Sequence, residues 1–271
     1  MTRFRQQLKS VTPPIVWGVA SHTRYTIQRA ALWPAATFHP WRRASIQRLA
    51  SLKDIHRDQR GFIIGNGPSL KQTDLSQLRN EYTFGMNRFY MAFPELGFTT
   101  TYYLSINSLV IEQCAADLRA LPIPTFLSWR SRSLIEPGEE TIFLHTTYTG
   151  PKFSTDARGR LWEGATVTYV ALQLAFYMGF QEVILIGVDH SFATQGKPNT
   201  TVVSQGDDPN HFHPGYFGKG FRWQLPDLET SERAYVLARE AYQQAGRRVL
   251  DATIGGKLIV FPKADYNSLF A

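Results

Sequence analysis

The residues best suited to chemistry sit where short apolar runs stop. Phe62-Ile63-Ile64 runs straight into Gly65-Asn66-Gly67-Pro68-Ser69-Leu70. A glycine-rich turn after a strand lets the backbone come close to a phosphate, and a following helix offers free N–H groups. The turn is not a Walker A loop, since no Gly-Lys-Ser/Thr follows. It is not the dinucleotide fingerprint either, since the third glycine is missing. The plain alternative is a tight strand-to-helix turn. Asn87 and Asn107 each close a later run. An amide offers a donor and an acceptor, which suits sugar hydroxyls or base edges, though asparagine is also a common turn former. Asp189 ends the run Glu182–Val188. An acid there could hold a ribose, a metal or a catalytic proton, or simply anchor a loop.

Residues 190–226 gather a second set. His211, His213 and Tyr216 are the acid–base candidates. Lys219, Arg222 and Trp223 could contact phosphate and stack on a ring. His211-Phe212-His213 supplies two metal ligands and no third, so no metal site is expected. Asp207-Asp208, beside Pro209, could meet a cation but reads better as a solvated turn.

These positions require a frame of alternating elements. Strands are expected near 62–64, 82–86, 100–106, 125–127, 141–144, 182–188 and 248–252, with helices over 108–120, 165–178 and 227–245. The 165–178 segment is apolar on most sides and is therefore a core helix. Strands alternating with helices predict an α/β fold, a mainly parallel sheet with helices on both faces. Ligands of such sheets bind beyond the C-terminal strand ends, where the turn, both asparagines and Asp189 all fall. The 190–226 stretch is too long for a connector and is expected to act as a lid.

Composition narrows the classes. Apolar residues make up 43% and charged residues 19% of 271, which is globular. One cysteine, Cys114, excludes an intrachain disulfide and a cysteine zinc cluster. The net charge of +7 is uneven: residues 1–60 hold eleven Lys/Arg against two acids, and the remainder carries a slight acidic excess. A basic helical arm (1–60) ahead of a main domain (61–271) follows. The folded part lacks the basic excess of a nucleic-acid binder, which argues against that partner. The arm mixes arginines with Trp17, Leu32, Trp33, Phe38 and Trp41. Such a mixture suits peripheral contact with an anionic membrane, the ordinary alternative being a helix packed on the domain with its arginines solvated. The longest apolar run of the arm, Ile15–Ala20, is too short to span a bilayer, and Pro13-Pro14 and Arg24 break any signal-peptide pattern. A cytoplasmic location is expected, at the inner face of a membrane if the arm meets lipid. The sequence leaves a homo-oligomer open.

Ile63–Lys71, Gly85-Met86-Asn87-Arg88-Phe89-Tyr90, Ile106-Asn107-Ser108-Leu109 and Leu185–Asp189, in that order, resemble the MptE-like family. That family is named for a 6-hydroxymethylpterin diphosphokinase and is similar to bacterial CMP-sialic-acid-dependent sialyltransferases and flagellin glycosyltransferases. The tail pattern Asn210–Pro214, Tyr216–Gly220, Arg222-Trp223 and Ala252–Leu258 extends the resemblance over about residues 60–270. It implies a Rossmann-like domain and a transferase, most simply a glycosyltransferase. The donor would be a CMP-activated sugar of the nonulosonic-acid type and the acceptor a glycan or lipid-linked glycan, with no tightly bound cofactor. Carried over, Asn66, Gly67, Asn87 and Asn107 contact the CMP portion, with Gly65, Pro68 and Ser69 in the same turn, and Thr166 or Thr168 contacts the donor at the core helix. Where the sialyltransferases carry tyrosines after the strand-end acid, this chain has Ser191 and Phe192, which passes the leaving-phosphate role to Tyr216 or Arg222. No histidine stands where theirs acts as base, so that role falls to His211 or His213. Two alternatives share the resemblance: a diphosphokinase using ATP and Mg²⁺ held by Asp189 or Asp207-Asp208, and a non-catalytic nucleotide-sugar-binding protein of an envelope polysaccharide system.

Overall fold

The computed structural model describes the backbone of residues 14–194 and 196–271, and side chains from 23 onward except 24, 25 and 28. Arg3, Arg5 and Lys9, and the side chains of Trp17 and Arg24, lie outside the described residues. Among the described residues ten strands occur: β1 (Arg60–Ile64), β2 (Tyr82–Met86), β3 (Tyr102–Ser105), β4 (Thr125–Ser128), β5 (Thr141–Thr147), β6 (Arg160–Trp162), β7 (Glu182–Ile186), β8 (Thr201–Val203), β9 (Arg222–Gln224) and β10 (Arg248–Asp251). The helices are α1 (Pro14–Phe38), α2 (Pro40–Ser51), α3 (Phe93–Leu96), α4 (Ser108–Gln113), α5 (Ala115–Arg119), α6 (Val167–Met178) and α7 (Leu228–Gln244).

Eight strands form one sheet in the order β10-β7-β1-β2-β3-β4-β5-β6, and every ladder in it is parallel. Alternate side chains of a strand face opposite sides, and here both sides are apolar. Ile63, Phe84, Leu104, Phe126, Leu144 and Leu185 pack beneath α6 and α7. Their neighbours Phe62, Ile64, Tyr103, Leu127, Phe143, Ile184 and Ile186 face α4, α5 and the aromatic residues of the 190–226 segment. Within α6 only Val167 and Phe176 escape full burial, as the sequence pattern requires of a core helix. It ends at Gly179, which takes the left-handed conformation (φ 99°) that favours glycine. Asp227 caps α7 by accepting from the Thr230 N–H at 3.0 Å.

Several details differ from the sequence reading, among them the edge strand β6, which is absent from the expected elements. The helix expected over 108–120 breaks at Cys114 (φ −124°) into α4 and α5. The 190–226 segment contains an antiparallel hairpin, β8 with β9, too short and polar to show period-two apolarity. The arm's arginines are not all solvated. Strand β6 pairs only with residues 145–147 of β5, so Phe143, in register with Leu127 of β4 on one side, has no strand beside it on the other. Helix α2 fills that gap: the Phe143 N–H donates to Ser45 Oγ (2.9 Å), and Arg42 Nη1 donates to the Phe143 carbonyl (3.1 Å). Arg42 is fully buried, and burial lowers its pKa to about 10. The arm also presents exposed Ile27, Trp33, Phe38 and Trp41. No described helix is long and apolar enough to cross a membrane.

Candidate functional site

After β1 the chain steps through β2 to β6 in one direction, then returns to β7 on the other side of β1. Connections diverge at such a switch point and open a crevice beyond the C-terminal strand ends. A cavity of about 610 Å³ lies there. That falls within the usual range for small-molecule sites. Its floor is Gly65–Gly67, Asn87, Asn107 and Gly187–Asp189; one wall is Glu163–Thr168, and the roof comes from His211, Phe217, Trp223 and the start of α7.

The β1 turn is held from within. The Gly65 N–H donates to Ile186 O (2.7 Å) and the Gly67 N–H to Gly187 O (2.9 Å). Asp189 accepts from the Ser69 N–H (3.1 Å) and from Ser69 Oγ (2.7 Å). A Cβ on Gly65 would lie 2.1 Å from Gly187 O, and one on Gly67 1.8 Å from Asp189 Oδ2. The glycines are therefore required by contact with the end of β7, whatever else they meet. The helix expected to follow is a five-residue 3₁₀ turn, Pro68–Gln72, whose Leu70 N–H closes back on Gly67 O. Pro68 and Ser69 lie behind the cavity wall, while Asn66 lines it with a buried Oδ1 that has no hydrogen-bond partner among the described residues. Asp189 serves as the loop anchor, with its carboxylate committed to Ser69.

Asn87 and Asn107 are held by one end each. Asn87 Oδ1 accepts from Ser105 Oγ (3.2 Å) and Asn107 Oδ1 from the Leu109 N–H (2.9 Å), where it caps α4. The carbonyl ends are occupied, which leaves the NH₂ ends to donate. At the wall, Thr166 is the N-cap of α6 with no side-chain hydrogen bond to the first turn. Thr166, Val167 and Thr168 all line the cavity, so it meets the positive end of the α6 dipole. Tyr235 also lines the cavity, with Thr166 Oγ1 at 3.4 Å from its hydroxyl.

The lid supplies a positioned histidine. His211 Nδ1 sits 2.7 Å from Asp208 Oδ2, and His211 lines the cavity. Asp208 is buried, and it also accepts from the N–H groups of Asn210 (2.8 Å) and Phe217 (3.1 Å). It is no solvated turn residue; it organises the loop from inside. A carboxylate beside Nδ1 favours the tautomer with the proton there, in which Nε2 is the acceptor of the neutral ring. The ring stacks on Tyr216, with centroids 4.0 Å apart and planes 10° from parallel. The Phe212 N–H donates to Asn66 O (2.9 Å), which ties this loop to the β1 turn.

The other lid candidates lie elsewhere. His213 Nδ1 accepts from the Gly215 N–H (3.0 Å), outside the cavity wall. Tyr216 is completely buried beneath His211, and burial pushes its pKa up, so it is a stacking platform and not a proton donor. Arg222 pairs with Glu112 (3.1 Å), and Lys219 is exposed away from the cavity. Trp223 does reach the cavity, stacked on Phe217 at 5.6 Å. Among the described residues no lysine or arginine lines the cavity, and no group of three or more His, Cys, Asp or Glu is placed to hold a metal ion. The sequence offered Asp208 as a cation contact or turn residue and missed its pairing with His211, and it did not single out Glu163. Asp208 precedes His211 by three residues, a spacing that could have paired them. Glu163, in Trp162-Glu163-Gly164, carried no signal beyond lying ahead of a helix.

Known proteins place the chain further. Among solved structures it is similar to the MAf glycosyltransferase from Magnetospirillum magneticum AMB-1, at 15% identity and TM-score 0.48, over 95% of this chain and 43% of that one. The chain thus spans less than half the length of that enzyme. It is also similar to the sialyltransferase CstII from Campylobacter jejuni, in complex with cytidine-5'-monophosphate, at 15% identity and TM-score 0.38, over 76% of this chain and 85% of that one. No curated protein matches. The family model described as 6-hydroxymethylpterin diphosphokinase MptE-like matches residues 41–195, from α2 through β7 and into the lid. The chain belongs to the MptE-like family.

Proposed function

We propose that this cavity binds a nucleotide-activated sugar, in the first instance a CMP-sugar of the nonulosonic-acid type, and that the chain transfers the sugar to a hydroxyl of a glycan or lipid-linked acceptor. The observation that carries the reading is His211, oriented by buried Asp208 and facing a cavity whose floor offers amide donors. In the step, His211 Nε2 takes the acceptor hydroxyl proton. The acceptor oxygen forms a bond to the anomeric carbon, the bond from that carbon to the phosphate oxygen breaks, and CMP departs with the electron pair. A positioned base of this kind contributes about 10²–10⁴-fold. Charge growing on the leaving phosphate meets the N-terminus of α6 and the NH₂ groups of Asn87 and Asn107. Preorganised dipoles of this sort stabilise charge without rearranging. The exposed Trp33, Phe38 and Trp41, beside exposed Arg43, support peripheral contact of the arm with an acceptor-bearing membrane.

A second reading follows from the family's description: an ATP- and Mg²⁺-dependent diphosphokinase of a pterin-like alcohol. Of the carboxylates it would call on, Asp189 is engaged by Ser69 and Asp208 by His211, and Asp207 is exposed outside the cavity lining. Thermal stability against CMP, CDP, UDP, GDP, ADP and ATP, each with and without Mg²⁺, separates the two. A ligand at about a hundred times its Kd adds roughly 2.7 kcal/mol, or about 5–10 °C for a domain of this size. A shift with CMP, independent of Mg²⁺, is the expected result. A shift with ATP only when Mg²⁺ is present overturns the transferase reading in favour of the kinase. No shift with any nucleotide overturns both.

A further inference from the structure

The cavity has a second polar end that the chemistry above leaves unused. Glu163 follows β6, the edge strand, five places from β1 in the sheet, and it lines the cavity although only 4% exposed. Its two carboxylate oxygens are treated unequally. Oε1 accepts from Arg130 Nη2 (2.6 Å), Arg130 Nε (3.2 Å) and Thr146 Oγ1 (2.6 Å). Thr146 is itself fixed by Ser128 Oγ at 2.8 Å. Among the described residues no protein group donates to Oε2. A buried carboxylate normally uses both oxygens, because an unmet one forfeits a charge-assisted bond. Arg130 balances the charge, so the open oxygen suits a neutral donor, a hydroxyl or an amide N–H, better than a free cation.

An aromatic face stands beside it. The Arg130 guanidinium lies 3.6 Å from the centroid of the Tyr148 ring, which lines the cavity while 58% exposed. Trp162, also in the cavity wall, fixes the Tyr148 backbone by donating from Nε1 to its carbonyl (3.2 Å). One ring face is pinned by the cation. A fixed ring next to a fixed acceptor matches the two surfaces of a sugar, an apolar C–H face and a hydroxyl edge.

We infer that Glu163 and Tyr148 form a sugar-reading subsite, in which Glu163 Oε2 accepts from a hydroxyl or amide N–H of a monosaccharide ring packed on Tyr148. The assignment rests on the transferase reading only in taking a sugar as the ligand, and it can be tested without nucleotide. Saturation-transfer NMR on the full chain would use free N-acetylneuraminate, N-acetylglucosamine, galactose and glucose at millimolar concentration. At least one sugar is expected to receive saturation from the wild type, with the signal falling at least fivefold in Glu163→Gln and in Tyr148→Ala and surviving in Tyr148→Phe, which keeps the ring. Tyr148 is exposed, so its variants remain informative if Glu163→Gln fails to fold. No transfer to any of the four sugars, or undiminished transfer in Tyr148→Ala, overturns the subsite. Stabilisation of the wild type by CMP reports the transferase reading separately: a CMP shift without a sugar signal removes the subsite alone, and a sugar signal without a CMP shift removes the transferase reading alone.

Discussion

The β1 turn and the loop 208–217 meet at the edge of one cavity and are built on opposite plans. The turn is wired through backbone: glycines press on the end of β7, and Asp189 holds Ser69. The loop is wired through one buried side chain, since Asp208 receives His211 and two N–H groups. Residue types that suggest ligand binding are spent on architecture in the turn. In the loop, an acid that suggests a solvated corner holds His211. A motif therefore marks where a site is more reliably than which atoms work in it.

The contrast can be broken most severely at the turn. Gly67→Ala places a methyl group against Asp189, and Gly65→Ala places one against backbone. Each is expected to lower stability by about 3 kcal/mol or more, read as the urea midpoint. Midpoints unchanged by both would mean that the turn is loose and its glycines serve a ligand instead. Asp208→Ala should come next, at about 1–3 kcal/mol, because it orphans two buried N–H groups and the His211 proton. Its thermal midpoint checks this. If Asp208→Ala costs nothing, the loop is not organised from inside.

Most of this frame was legible in the sequence. Buried strands flanked by turn residues give strong signals, and the ends of β1, β2, β3 and β7 follow from them. The work of individual atoms was not legible, for two physical reasons. Asp208 is held from later in the chain, its carboxylate by the Phe217 N–H and its own N–H by the Pro214 carbonyl, and no local pattern records that. The open oxygen of Glu163 depends on Arg130, in the turn after β4, and on Thr146, within β5. Arg222 shows the converse: it lies close in sequence to cavity residues but turns outward to Glu112.

Two smaller effects sharpen the comparison. His145 on β5 belongs to neither region, and burial, with Arg42, Arg160 and Lys152 nearby, lowers its pKa to about 4. The unfolded chain then binds the extra proton first. Stability from this group is present above the ordinary histidine value near 6.5 and is lost as the pH falls toward about 4. Denaturation midpoints across that window should fall with pH, less steeply in His145→Gln than in the wild type. An equal slope would assign the acid sensitivity to another group. The smallest effects are expected outside the cavity: His213→Ala and Arg222→Ala should each stay within about 0.5 kcal/mol. A large loss of CMP binding in Arg222→Ala would return that residue to the phosphate.

The decisive measurement is single-turnover release of CMP from a CMP-sugar by the wild type, Asp208→Asn and His211→Gln, with CMP affinity determined alongside. Both variants should bind CMP as the wild type does and release it about 10²–10⁴-fold more slowly, because the base is absent or held in the wrong tautomer. Release at the wild-type rate in both variants, from proteins that bind CMP normally, would contradict the assignment of His211 as the base.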